Sequence, residues 1–255
     1  MRWESLMAIT ASTEEQQLLL DVQAVDTKIL QAGHKRNNVP EIATVQELEV
    51  ALGSLDMKIV AVSTEVSDLS VVQEKAEADV EVVRSRAARD KERLDGGSIT
   101  NSKELESLQS EIESLSRRQA TLEDEELEVM QQLESAQNAL DAFNTEREPL
   151  AAALEAAIAS RDSQIAECNA EIDKLTAQRN DMVSDLPADL VKLYDKVRDD
   201  LGGVGAALLT RGACQGCRIA LDSSEIQRIR NLGADVVVRC EECQRILVRT
   251  AESGL

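Results

Sequence analysis

Two cysteine pairs, Cys214-Gln215-Gly216-Cys217 and Cys240-Glu241-Glu242-Cys243, are the residues of this chain whose type and spacing best suit chemistry. A CxxC loop lets both thiolates reach one ion, and two such loops supply the four sulfurs of a closed tetrahedral Zn²⁺ site. Gly216 relieves the tight turn inside the first loop. The 22 residues between the pairs leave room for a strand, a short helix opened by Asp222 or Ser223, and a second strand at "DVVVR". The pattern therefore predicts one structural zinc ion held by Cys214, Cys217, Cys240 and Cys243. Four protein sulfurs leave no position for water or substrate, so catalysis by the metal is not expected. The other use of the same residues is a thiol-redox protein, which requires the four thiols to be free of metal and to cycle with disulfides.

Around the cysteines lie Arg211, Arg218, Arg228, Arg230, Arg239, Arg245 and Arg249, set against Asp222, Glu225, Asp235, Glu241 and Glu242. Arginine contacts phosphates and stacks on bases, so these seven are the candidate contacts to nucleic acid or another partner. Two observations weigh on the other side. A zinc ion with four thiolates carries a formal charge of about −2, which offsets the local arginine excess. This region also has no Phe, Tyr or Trp to act as a stacking platform, and its arginines have Asp222, Glu225 and the helical part as alternative partners.

Elsewhere the chemistry is sparse. Cys168 falls on a helical apolar seam and reads as a small buried hydrophobe. His34, the single histidine, reads as a surface residue. No glycine-rich phosphate loop is present, and the expectation is that the protein is not an enzyme and takes no small-molecule substrate.

The elements that must carry the cysteines are helical. From Val45 the apolar residues fall at alternating steps of three and four: Val45, Leu48, Leu52, Leu55, Ile59, Val62, Val66 and Leu69, then Ala76, Val80, Val83, Ala87 and Leu94. This is a coiled-coil seam, with Gln73 and Asp90 as polar interruptions. "LDGGSITNSKE" ends it: Gly96 and Gly97 free the backbone for a turn, and Asn101 with Glu104 forms a capping box that restarts a helix. A second seam runs from Leu105 through Ile112, Leu122, Leu133, Leu140 and Leu150 to Leu154. Folding the chain about Ser98 brings position 156 opposite position 40. The first arm is broken there by Pro40, and the second steps from Leu154 to Ile158 to Arg161, a stutter. Pro149 is a further candidate kink. "SDLPADLVKLYDKVRDDLGG" reads as a stop, a short amphipathic helix bearing Leu190, Leu193, Tyr194 and Val197, and a glycine-rich exit into the strand "AALLTRGA".

The fold class is thus mainly α: a long antiparallel coiled-coil hairpin with a small C-terminal β-rich zinc ribbon. The expected divisions are a flexible N-terminus at 1–12 with its start at Met1 or Met7, the hairpin at 13–184 with its turn near 95–101 and break near 37–41, and a short helix plus ribbon at 185–255. The hairpin is expected to survive loss of the ribbon.

Aromatics are limited to Trp3, Phe143 and Tyr194, which suits helices packed through a narrow seam better than a large globular core. With 28 Lys and Arg against 48 Asp and Glu, the formal charge of −20 repels nucleic acid and anionic membranes everywhere except near the cysteines. No apolar run approaches the ~18 residues of a membrane span. A cytoplasmic location is expected, where paired cysteines hold metal more often than disulfides.

The turn "GGSITNSKELESLQSEI", the stretch "LPADLVKLYDKVR" and "CEECQRIL" after "CQGC" make nearly the whole chain resemble the bacterial family of coiled-coil proteins with a C-terminal C4-type zinc ribbon, described as predicted nucleic-acid-binding proteins. The resemblance implies a long helical hairpin, a zinc ribbon and no known catalytic centre. Relatives are reported to bind RNA, an alternative sigma factor or secretion-apparatus proteins, and no partner-binding residue of theirs maps onto this sequence. Where relatives often have glycine after the last cysteine and an aromatic near the end, this chain has Gln244 and Val248. The expected function is a non-catalytic adaptor binding protein and/or nucleic-acid partners. RNA or DNA binding through the arginine-rich ribbon is the alternative, and thiol-redox activity the second alternative.

Overall fold

A capping box opens the first helix. The Ser12 hydroxyl accepts from the Glu15 amide at 3.1 Å, and the Glu15 carboxylate accepts from the Ser12 amide at 2.6 Å. The computed structural model describes residues 9–97 and 99–255. The alternative starts at Met1 and Met7, residues 1–8 of the expected flexible N-terminus, and the pivot Ser98 lie outside the described residues.

Helix α1 (Thr13–Asn37) stops before Pro40, and α2 (Glu41–Asp95) resumes immediately after it. Gly97, at φ +65°, takes the chain out of α2 in a conformation that disfavours a side chain. Helix α3 (Ser102–Ser184) follows and remains helical through Pro149. Asn101 caps it by accepting from the Lys103 amide at 3.0 Å. Glu104 does not complete the expected capping box, because its carboxylate pairs across the turn with Arg93 at 2.9 Å. Helix α4 (Ala188–Asp200) then leads to β1 (Ala206–Thr210), β2 (Ala213–Cys214), α5 (Ser223–Arg230), β3 (Val238–Arg239) and β4 (Ile246–Val248). The protein is a long helical hairpin followed by a small strand-containing ribbon.

The chain divides into two compact units, Ala43–Ile158 and the remainder. In the first, α2 and α3 run antiparallel. Val45, Leu55 and Val80 of one and Leu108, Leu122, Leu133 and Ala136 of the other are buried along the seam. Pairs such as Arg147–Asp56 at 2.6 Å and Arg84–Glu123 at 3.2 Å flank it. Both partners of each are largely exposed, so each pair contributes little stability.

The second unit joins residues up to Ile42 with Ala159–Leu255. Cys168 and Leu175 are buried on its helical seam. Glu41 accepts from Ser160 Oγ at 3.1 Å and from Gln164, both further along α3 than Glu155, which folding about Ser98 places opposite it.

The ribbon sheet has the order β2-β1-β4-β3, with β1 and β4 parallel and the outer pairs antiparallel. Successive side chains leave opposite faces. Ala206, Ile246 and Val248 join Leu19 and Val22 of α1 and Leu190 and Tyr194 of α4, whereas Ala207 and Leu247 face Cys214, Cys240, Ile229 and Val238. The ribbon is therefore built onto α1 and α4. Residues 9–11 pair with the segment 235–237. Ala11 donates its amide to Asp235 O at 2.8 Å, Ile9 O accepts from the Val237 amide at 3.0 Å, and Thr10 bridges Val236. An otherwise open backbone edge before β3 is paired in this way.

A buried polar network ties the same elements together. The Asp26 carboxylate of α1 accepts from Tyr194 Oη at 2.7 Å, Arg179 Nε of α3 at 2.7 Å and Arg198 Nη1 of α4 at 3.2 Å. Gln23 Oε1 accepts from the Gly205 amide at 2.7 Å, and Gln23 Nε2 donates to Gly203 O at 2.9 Å. Gly205 has no room for a side chain, since a Cβ would lie 2.8 Å from Tyr194 O. Burial, reinforced by the Asp26 carboxylate, raises the Tyr194 phenol and keeps it a donor.

Removing Asp26 leaves two mostly buried guanidinium groups short of their shared acceptor. Asp26→Ala should lower stability by about 3 kcal/mol, against about 1 kcal/mol for Tyr194→Phe. Chemical denaturation followed by circular dichroism checks both, and equal losses would show that the carboxylate is not the centre of the network.

Candidate metal centre

Each CxxC loop is closed by the same pair of backbone hydrogen bonds. In the first, the Arg218 amide donates to Cys214 O at 2.7 Å and the Cys214 amide to Ile219 O at 3.0 Å. In the second, the Gln244 amide donates to Cys240 O at 2.8 Å and the Cys240 amide to Arg245 O at 2.9 Å. This geometry forces the residue after each second cysteine into the left-handed region, with φ +62° at Arg218 and +65° at Gln244. Glycine is favoured there, and non-glycine residues are strained by about 1 kcal/mol or more. Inside the first loop, a Cβ at Gly216 would lie 2.6 Å from Arg245 Cδ and 3.0 Å from Ala207 Cβ, so glycine is required by packing as well as by the turn.

The two loops bring four sulfurs together. All four Sγ atoms lie within 4.8 Å of one another, with Cys214 and Cys243 3.8 Å apart and Cys217 and Cys240 3.9 Å apart. A zinc tetrahedron with bonds of about 2.3 Å has sulfur–sulfur edges of about 3.8 Å, so the donor set fits the ion in both chemistry and size. Cys214 and Cys240 are buried, while Cys217 and Cys243 are partly exposed. Burial raises the Cys214 thiol and pushes that of Cys240 up to about 12. Burial acts on Cys243 in the same direction, but hydrogen bonds to its sulfur, the Arg245 amide first among them, outweigh it and bring this thiol to about 7. With the ion bound, all four are thiolates and the site is a structural staple.

The seven arginines differ in what holds their side chains. Arg249 donates to Gly233 O, Ala234 O and Val236 O at 2.6 to 2.9 Å, and burial lowers its pKa. Arg245 donates to Val204 O at 3.0 Å and to Leu201 O at 3.4 Å. Arg228 is paired with the buried Glu225, its Nε 2.6 Å from the carboxylate. Arg239 Nε donates to Gln244 O at 2.9 Å, and Arg230 makes a long contact of 3.5 Å with Gly254 O. Among the described residues, the side chains of Arg211 and Arg218 have no hydrogen-bond or ion-pair partner. Small loops leave carbonyls without strand partners, and arginine supplies several donors from one side chain. Ser253 does similar work: fully buried, its hydroxyl donates to Leu209 O at 2.8 Å. His34 is exposed and stands among surface residues of α1.

Sequence reasoning had no means of singling out Gln23, Asp26, Arg179 and Arg198, because each sits in a helix where charged and polar residues are ordinary. The signal available for Gln244 was its position one residue after a CxxC.

Comparison with known proteins agrees with this architecture. A family model described as the CT398-like coiled coil hairpin domain matches residues 22–202, and a C4-type zinc ribbon domain matches residues 213–247. Rv2229c of Mycobacterium tuberculosis, described as uncharacterized, is 32% identical over 239 residues, covering 94% of this chain and 97% of that protein. ML1638 of Mycobacterium leprae, also described as uncharacterized, is 26% identical over 86% of this chain and 93% of its own length. A solved structure from Mycobacterium smegmatis superposes with a TM-score of 0.82 at 32% identity, covering 94% of this chain and all of that one. CT398 from Chlamydia trachomatis shares the fold, with a TM-score of 0.66 at 18% identity over 92% and 97% of the two chains.

The purified protein should release one zinc per chain to a chromophoric chelator, and Cys240→Ser none. Because α2 and α3 between Ala43 and Ile158 have their own seam, Cys240→Ser should keep most of its helical circular dichroism while losing stability at α1 and α4. Zinc competes with protons for the raised thiols Cys214 and Cys240, so apparent zinc affinity should fall as pH drops from about 8 to about 6. An affinity unchanged over that range would contradict thiolate ligation. Gln244→Gly should relieve the left-handed strain and stabilise the zinc-loaded protein by about 0.5–1 kcal/mol in thermal melts.

Proposed function

We propose that this chain, which belongs to the family of CT398-like coiled-coil hairpin proteins, works as a non-catalytic adaptor that presents acidic helical surfaces and a zinc-stapled ribbon to a basic protein partner. Charge placement is the observation that carries this reading. The formal charge is −20, while Arg228, Arg245 and Arg249 are held by a buried carboxylate or by backbone carbonyls within the ribbon. Such a molecule attracts cationic surfaces and repels polyanions.

The cavities support a binding role over catalysis. The one of about 640 Å³ beside α1, α3 and α4 is lined by Asp26, Asp199, Arg179 and Arg198, which are already paired with one another. A metal enclosed by four sulfurs has no exchangeable position. No helix is long and apolar enough to cross a membrane. A reducing compartment, the cytoplasm, suits four thiols that must stay free to hold metal.

The test is affinity capture with the full-length, zinc-loaded protein, run beside ultraviolet crosslinking of RNA to the same protein in cells. The adaptor reading expects defined proteins retained at about 0.05 M salt and released at about 0.5 M, with RNA at background. RNA that crosslinks to the protein and is lost in the double variant Arg211→Ser, Arg218→Ser would replace it with nucleic-acid binding through the two unpartnered arginines.

A further inference from the structure

The outward face of α2 carries a second seam. On the side opposite the buried residues, Val50, Gly53, Met57, Val60, Thr64 and Val71 follow one another at helical spacing, and no charged residue interrupts the stripe between Ala43 and Val71. The four large apolar members are 64% to 74% exposed, although this chain is 30% charged. The outward face of α3 provides the internal comparison. The equivalent positions there include Glu113, Arg117, Asp124, Glu134, Asp141 and Glu148, as expected of a helix back that meets only water.

Gly53 at the middle of the stripe is a second, independent anomaly. A Cβ added to it would meet nothing within 4 Å, so no neighbour in the chain requires glycine. Glycine is unfavourable in a helix interior, and close approach of another backbone is the circumstance that favours it.

The edges of the stripe define the occupant. They carry Glu47, Glu49 and Asp68 and no basic residue of α2, while Asp56 at the same edge is already paired with Arg147 of α3. Lys58, the lysine of this stretch, lies 5.8 Å from the centre of the Phe143 ring, towards the inner seam. We infer that this face of α2 docks a basic amphipathic helix of a partner protein, its apolar stripe on Val50, Met57, Val60 and Val71 and its lysines or arginines against the acidic edges. A second copy of this chain would set acidic edge against acidic edge, and an anionic membrane would be repelled. The inference rests on the adaptor reading and gives it a surface and a partner class.

The test uses the full-length, zinc-loaded protein and a fluorescent 28-residue helical peptide with leucine and isoleucine at seam positions and lysine beside them. The control peptide has the same seam flanked by glutamate. Anisotropy should report binding of the lysine peptide alone, weakened at least about ten-fold by Met57→Glu with Val60→Glu and unchanged by Leu127→Glu on the back of α3. The substituted side chains are exposed, so helical circular dichroism should be unaltered. Equal binding of both peptides, equal binding by the double variant, or a self-dimer in sedimentation that the double variant dissolves would each overturn the proposal. Salt-sensitive protein capture that persists in the double variant would remove this face and leave the adaptor reading standing, whereas loss of all capture by the unmodified protein would remove the adaptor reading itself.

Discussion

Strand β4 is buried on both faces, and the C-terminal half of the molecule depends on that constraint. Leu247 packs towards the cysteine loops while Ile246 and Val248 pack towards α1 and α4. A ribbon of this size cannot bury enough apolar surface to fold by itself, and zinc is the usual remedy. Here the metal loops form one wall and the helices the other, with β1 and β4 as the shared layer. Order at the metal and order at the base of the helices are thus aspects of one packing problem. The Asp26 network adds directionality, because a carboxylate shared by two guanidinium groups and a phenol fixes α1, α3 and α4 at defined positions.

Much of this was legible from residue types. Alternating three- and four-residue apolar steps identify the seams, since that period occurs when one helical stripe is buried. Pro40 marks the break between α1 and α2, because no interior helical residue can lack its amide hydrogen without cost. The paired CxxC loops specify the ligand set by reach alone. Strand β4 was hidden for an opposite reason: burial on both faces erases the alternation that betrays a strand, and "ILV" is too short to be distinguished from a helical fragment. Pairing of residues 9–11 with 235–237 joins segments far apart in sequence that carry no local signature. Asp26 and Gln23 lie on a helix that also has exposed acidic and amide residues, and only the tertiary fold separates the buried ones from the rest.

Three of the ribbon arginines have partners inside the ribbon that composition does not reveal. A cluster of positive residues beside a metal suggests polyanion recognition. In a domain with short strands and many loops, however, the scarce resource is hydrogen-bond donors for unpaired carbonyls. Arg245 and Arg249 answer that need, and Arg228 answers the separate one of neutralising the buried Glu225. At Arg245 and Arg249 positive charge accompanies donor geometry. The helical part shows the complementary case, in which acidic residues are abundant because solvated helix backs tolerate them, except along the outer stripe of α2.

The pairing of residues 9–11 with 235–237, and of Leu19 and Val22 with β4, also imposes an order on synthesis. The ribosome delivers α1 early and the strands that cover it more than 200 residues later. At about 5–20 residues per second, the apolar side of α1 waits on the order of ten to forty seconds for its final partners. During that interval the long antiparallel pair can form from its local seam, so the nascent chain is a finished hairpin carrying an unfinished base. Zinc capture, which requires both CxxC loops, falls within the last stretch to emerge and acts as the closing step of assembly.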